Sequence, residues 1–469
     1  MNIRKSLGLL VILTGGGIAV AVAQTSPLTL QNALQTGLNN YQSVKAKENY
    51  AKAAAANVTA TRQEFLPDLN LAAQNSYGTV NGQNGPLFGY KGWSTASSGA
   101  ALSSQNWNAA FGGIYLANVT WDLVTFGRLH AKVDMAKQQL NTSNADLEQE
   151  KFEQQVKIAG AYLNLLAAQR LRKSMEANLH RAQDLQQIIV NRALNGLNAG
   201  VDSSIANAEV SKAKLSLIDA QNYEDAQGNK LAEMMDVPPQ NFVLDTSFVI
   251  KVPAPLLEQQ PAVTDIKQQP LLRLYDSRIQ LSDANKHFLA KNVMPRLTLV
   301  GVFQSRASGF EYDYGAAHPD HFNQGYWNGV HPTVSNYLLG LNLSWTVTDL
   351  VRTHTQVARQ QYNTEGLKHE YNLVYSRLQH QLELSEQQLA NAVRKYREVP
   401  AGLKAASDAY LQKSTLYENG LSNIADLSQA LYNINRAETD RDIAYNGIWQ
   451  ALLYKAATAG DMQLFLNQL

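Results

Sequence analysis

The feature that most constrains this chain is that it matches itself. Val119-Thr120-Trp121 returns as Leu343-Ser344-Trp345, 224 residues later. At the same spacing Arg128 returns as Arg352, Asn195-Gly196-Leu197 as Asn419-Gly420-Leu421, and Asp202 as Asp426. Coincidence supplies one such match but not an ungapped set running from Trp121 to Asp202, so a single structural unit is used twice. Upstream, Leu66-Pro67 corresponds to Met294-Pro295 at an offset four residues longer, which the intervening loop absorbs.

Each copy reads in the same order. A helical stretch rich in Ala, Lys, Gln and Glu, about 28–65 and 268–293, is stopped by Pro67 or Pro295. A short alternating run follows: Leu69, Leu71 and Ala73 against Asn70, Ala72 and Gln74, then in the second copy Leu297, Leu299, Gly301 and Phe303 against Thr298, Val300, Val302 and Gln304. A Gly-, Ser-, Asn- and aromatic-rich loop, 78–111 or 305–336, leads to a second alternating run. There Tyr115, Ala117, Val119 and Trp121 face one way, as do Leu339, Leu341, Leu343 and Trp345. The opposite positions carry the more polar side chains. This period of two over about ten residues fits strands with lipid on one face and water on the other, although a soluble hairpin has the same pattern.

Two stretches without a breaking glycine turn follow, 128–195 and 352–419. As helices they are roughly 100 Å long, with apolar residues spaced by three and four, as in Leu389, Val393, Tyr396, Val399, Leu403, Ala406 and Tyr410. Pro400 predicts a kink or brief break in the second. Each ends at an Asn-Gly-Leu turn, where glycine supplies a left-handed residue. Returning helices, 202–235 and 424–459, begin near Asp202 and Asp426, which can also act as helix caps.

The ends and the join complete the layout. Arg4 and Lys5, the apolar run Leu7–Val22 and Ala21-Val22-Ala23 read as a signal peptide over 1–23. Repeat one then spans 24–236, a proline-rich linker 237–267 with a short strand near Phe242–Val252, repeat two 268–460, and a tail 461–469. With 40 Lys+Arg against 39 Asp+Glu there is no basic excess for nucleic acid, and with no cysteine there is neither a lipidated N-terminal cysteine nor a thiolate metal site. No catalytic constellation stands out, so the chain does not read as an enzyme, and no cofactor is expected. His318, His321 and His331 share a loop with Glu311, Asp313 and Asp320; at their irregular spacing they read as solvated side chains, not as a metal site.

This order, used twice, resembles the TolC-type outer-membrane efflux proteins over about 25–460. The resemblance rests on Leu66-Pro67 and Met294-Pro295, on Trp121 and Trp345 with Phe126-Gly127-Arg128, and on the turns Asn195-Gly196-Leu197 and Tyr417-Glu418-Asn419-Gly420-Leu421. It implies an α+β membrane protein. Three chains form a twelve-stranded β-barrel in the outer membrane, continued by an α-helical tunnel through the periplasm. The implied function is that of an exit duct working with a periplasmic adaptor and an inner-membrane transporter. The resemblance further implies a gate at Tyr417, Asp202 and Ser422, an entrance ring at Asp426 and Gln429, adaptor-docking turns at Asn195, Gly196, Leu197, Asn419, Gly420 and Leu421, and membrane-interface aromatics at Trp121 and Trp345. Two positions depart from the family pattern: Ser422 replaces a gate arginine and Gln429 a ring aspartate. A trimeric coiled-coil stalk or adhesin is the alternative; the paired alternating runs inside each copy count against it.

Overall fold

The computed structural model describes residues 27–82, 89–90, 93–94, 102–196, 199–246 and 266–468. The signal segment 1–23 and most of the linker lie outside them. The first half runs α1 (Leu30–Asn40), α2 (Gln42–Gln63), β1 (Asp68–Thr79), the two-residue strands β2 (Gly89–Tyr90) and β3 (Trp93–Ser94), β4 (Ala109–Val124), α3 (Arg128–Leu194) and α4 (Gly200–Met235). The second runs α5 (Pro270–Lys291), β5 (Arg296–Ser308), α6 (Tyr326–Val330), β6 (Val334–Ser344), α7 (Asp349–Glu418), α8 (Ile424–Ala459) and α9 (Gln463–Leu466).

Proline does what its missing N–H requires: α2 gives way before Pro67 to a strand beginning at Asp68, and α5 before Pro295 to one beginning at Arg296. Three expectations need correction. The first helical stretch is two helices, because Tyr41 is extended (φ −61°, ψ 124°). The 305–336 loop is not featureless: it holds α6 and a Phe310–Phe322 bridge. Of the kink or brief break expected at Pro400, the break does not occur: Pro400 lies inside an uninterrupted α7, whose packing along α8 holds the helix through the hydrogen bond that proline cannot donate. Of the strand expected near Phe242–Val252, Leu244 makes a parallel bridge with Leu28; residues 247–252 are not among those described.

The four long strands form one antiparallel sheet in the order β1-β4-β5-β6. Its register sorts the side chains. Leu69, Val119, Gly301 and Leu339 pair across the sheet, as do Asn70, Asn118, Val302 and Leu338 in the next row on the opposite face. The first face is apolar and bare: Leu69, Leu71, Leu339, Leu341 and Leu343 are each at least 66% exposed. β1 and β6 each have a single neighbour, so both edges of the sheet are open among the described residues.

The helices extend away from this sheet. α3 has 67 residues and α7 has 70, lengths of roughly 100 Å at the α-helical rise. The main core lies part-way along α3, where α1, α3, α4, α8 and α9 meet. Ile158, Tyr162, Leu163, Leu231, Trp449 and Phe465 are there, each fully buried. The Tyr162 hydroxyl donates between Leu28 O (2.7 Å) and Asp245 O (3.2 Å), tying in the Leu28–Leu244 bridge, and burial pushes its ionisation well above the ordinary phenol range. The tail, through Phe465, is part of this core. No helix among the described residues is long and apolar enough to cross a membrane.

Candidate functional site

Each helical hairpin ends in a tip built by its turn. At the second tip Leu421 N–H donates to Leu416 O (2.8 Å) and Gly420 N–H to Tyr417 O (3.0 Å). With Gly420 at φ 77°, these are the two bonds of a Schellman ending. Leu421 is left 75% exposed. At the first tip Gly196 has φ 72° and donates to Ala193 O; Leu197 lies outside the described residues.

The returning helices are not capped by the two aspartates. Asn423 caps α8, its Oδ1 accepting from Asp426 N–H at 2.8 Å. The cap position of α4 is Ala199, which offers no side-chain acceptor. Asp202 and Asp426 instead sit in the first turns, where the helix N-terminus favours a negative charge. Asp426 Oδ2 is 2.8 Å from Lys413 Nζ across the turn, so its charge is partly offset. Gln429 pairs along its own helix with Asn433 (3.0 Å).

Tyr417 is only 3% exposed and packs in a small core with Leu185, Ile189, Ala206, Ile424 and Leu427. Arg192, from the last turn of α3, lies over its ring at 5.7 Å and donates through Nη1 to Glu418 O at 2.5 Å. One side chain thus joins the two hairpin tips of a single protomer. Ser422 Oγ is buried without a hydrogen-bond partner. Arg192 and Lys413 were not singled out from sequence. Lys413 was findable, since it and Asp426 lie equally far from the middle of the turn. The only local signal at Arg192 is a basic residue in the last turn of a helix, and its contact depends on how two hairpins pack.

At the other end of the helices the two tryptophans make equivalent bonds. Trp121 Nε1 donates to Phe65 O (2.8 Å) and Trp345 Nε1 to Val293 O (2.9 Å). Each acceptor lies two residues before the proline that starts a strand. The two residues are 38% and 55% exposed, with each indole N–H satisfied.

In the 305–336 loop, Glu311, Asp313 and His321 come together while His331 does not join them. His321 Nδ1 is 2.9 Å from Asp313 Oδ2. That hydrogen bond holds the Asp313 carboxyl below its ordinary range and raises His321.

Residues 33–235 match the family model of outer membrane efflux proteins. Over that stretch, less than half of its length, the chain is similar to that family. Solved structures with this fold include the VceC outer membrane protein of Vibrio cholerae (15% identity, TM-score 0.71, 92% of this chain and 96% of that one). The CmeC outer membrane channel of Campylobacter jejuni aligns at 13% identity and TM-score 0.69, over 97% and 94%. The MtrE outer membrane channel of Neisseria gonorrhoeae, solved in an open state, aligns at 16% identity and TM-score 0.67, over 92% and 89%. At these identities the likeness is one of fold. No curated protein sequence matches the chain. The family match ends with α4, so it is the fold that carries the likeness through the second half.

Proposed function

We propose that this chain is an outer membrane efflux protein, one protomer of a homotrimeric exit duct. It receives substrate from an inner-membrane transporter through a periplasmic adaptor and conducts it across the outer membrane. The observation that carries this reading is the four-stranded sheet with a bare apolar face and two open edges, joined to helices of roughly 100 Å. Lipid does not tolerate open edges. Three copies about one axis pair every edge and close twelve strands into a barrel. The two halves, with matching element order, are structural repeats, and Trp121 and Trp345 sit in the interfacial girdle. Mass measurement in mild detergent together with planar-bilayer conductance tests the reading. A trimer that conducts is the expected result; a stable monomer, or a trimer without conductance, overturns it.

The tips do the work at the periplasmic end. The turns at Asn195, Gly196, Leu197, Asn419, Gly420 and Leu421 receive the adaptor, which an exposed leucine beside a left-handed glycine suits. Tyr417, Asp202 and Ser422 form the gate, and Asp426 with Gln429 the mouth. Tyr417 is buried within its own protomer, so the gate in this reading is the whole tip pair that Arg192 ties together. Replacing Arg192 with Ala removes a charge-assisted bond worth about 1.5–3 kcal/mol. The open fraction in a bilayer should then rise about tenfold or more, with trimer yield unchanged. Unchanged gating in that variant removes Arg192 from the mechanism. Asp426→Asn should lower cation preference, since a narrow ring of three carboxylates attracts cations.

A further inference from the structure

We propose that the loop between β5 and β6 carries a binding site for a divalent transition metal of the zinc type, formed by Glu311, Asp313 and His321 with His318 beside them. One ligand atom from each of the first three lies within 4.8 Å of the others. Tetrahedral zinc with nitrogen and oxygen ligands about 2.0–2.1 Å away spaces its donors about 3.3 Å apart. Small side-chain rotations therefore close the triad on an ion.

The backbone places these residues before any ion arrives. Gly309 N–H donates to Phe111 O (2.8 Å), Asn323 N–H to Gly309 O (2.7 Å), and Glu311 N–H to His321 O (3.1 Å). The loop is thus a short hairpin pinned to β4, with the Phe310 and Phe322 rings 6.2 Å apart across it. Residues ten apart in sequence sit side by side. The His318 ring lies parallel to that of His321, centroids 4.6 Å apart, and brings a second imidazole to the edge of the cluster.

Two independent observations point to a cation. Asp313 Oδ1 is closed off from solvent and accepts no hydrogen bond, although its partner oxygen is bonded to His321. A shielded carboxylate oxygen whose lone pairs meet no donor is costly unless a cation lies against it. In addition, no lysine or arginine occurs between Arg306 and Arg352, so the carboxylates of Glu311, Asp313 and Asp320 have only the loop's histidines to answer them, and His321 is already shared with Asp313. A mixed imidazole and carboxylate set suits zinc and its neighbours better than calcium or magnesium, which take oxygen alone. The irregular spacing of these residues hides their proximity in the sequence; the Phe310–Phe322 bridge brings them together.

The test is calorimetric titration of the chelator-treated, full-length protein in detergent with Zn2+ alone. One Zn2+ per chain is expected, with affinity falling about tenfold or more in both His321→Ala and Asp313→Asn, and unchanged in His331→Ala, which lies outside the cluster. X-ray absorption at the zinc edge on the unaltered protein should give nitrogen and oxygen ligands only, with imidazole scattering. The proposal is overturned by absence of saturable zinc uptake, by uptake that both variants leave unchanged, or by full displacement of the zinc by equimolar Ca2+. Neither the trimer nor its conductance enters these readouts, so the site and the duct stand or fall separately.

Discussion

Leu339→Arg should keep the protein out of the outer membrane, while Leu338→Arg, one residue earlier in β6, should leave it there. In one protomer the two leucines are nearly alike, 71% and 62% exposed. Register separates them. Leu339 lies in the row Leu69, Val119, Gly301, and Leu338 in the row Asn70, Asn118, Val302. If the first face meets lipid and the second lines water, an arginine at position 339 costs about 2–4 kcal/mol per chain near the bilayer midplane. Three copies suffer it at once, a total comparable with the whole stability of many folded domains. At position 338 the guanidinium reaches water at little cost. The measurement is the amount of heat-resistant trimer in the outer-membrane fraction. Equal insertion of both variants, or loss of Leu338→Arg alone, would show that the faces are assigned wrongly.

The second large effect is expected far from the membrane. Gly460→Ala should destabilise the protein by about 3 kcal/mol or more, whereas Gly196→Ala should cost about 1–2 kcal/mol. Both glycines are left-handed, at φ 77° and 72°, so strain on the backbone is shared. Their surroundings differ. A Cβ at position 460 would meet Gln269 Cα and Cγ at 2.6 Å, while at position 196 nothing lies within 4 Å. Gln269 cannot simply swing aside, because it is buried and its Oε1 accepts from Leu271 and Leu272 N–H to start α5. The close approach locks the end of α8 to the start of the second half. Thermal unfolding of the detergent-solubilised protein should order wild type, Gly196→Ala and Gly460→Ala from most to least stable. Equal midpoints for the two variants would mean that the contact with Gln269 yields freely.

Much of this architecture was legible because it is written in local signals repeated twice. Pro67 and Pro295 mark strand entries, Gly196 and Gly420 mark the tips, and alternation from Tyr115 to Trp121 gives the face of the sheet. Tyr41 was missed because no proline or glycine marks its extended conformation. Pro400 was read as a kink or brief break because propensity describes an isolated helix, while α7 is held against α8 and α5. The tip chemistry was legible only in part. Asp426 was visible, but Asn423 takes the cap and Lys413 takes the charge. The Arg192–Tyr417 contact joins residues from different halves, and nothing local to either reports how two hairpins will lie against each other.

The position of the buried belt around Ile158, Tyr162 and Trp449 has a mechanical consequence. It grips α3 near its midpoint, with some thirty residues of helix on either side. The tip beyond it is therefore a rigid arm of about 45 Å, and the belt is its fulcrum. A tilt of about five degrees there carries the tip by about 4 Å over that length, enough to separate side chains that touch. On the other side of the fulcrum the indole bonds of Trp121 and Trp345 brace the junctions of helix and strand. On the proposed function, force applied by the adaptor at the tips would be spent in turning the lower arm, leaving the strands in place.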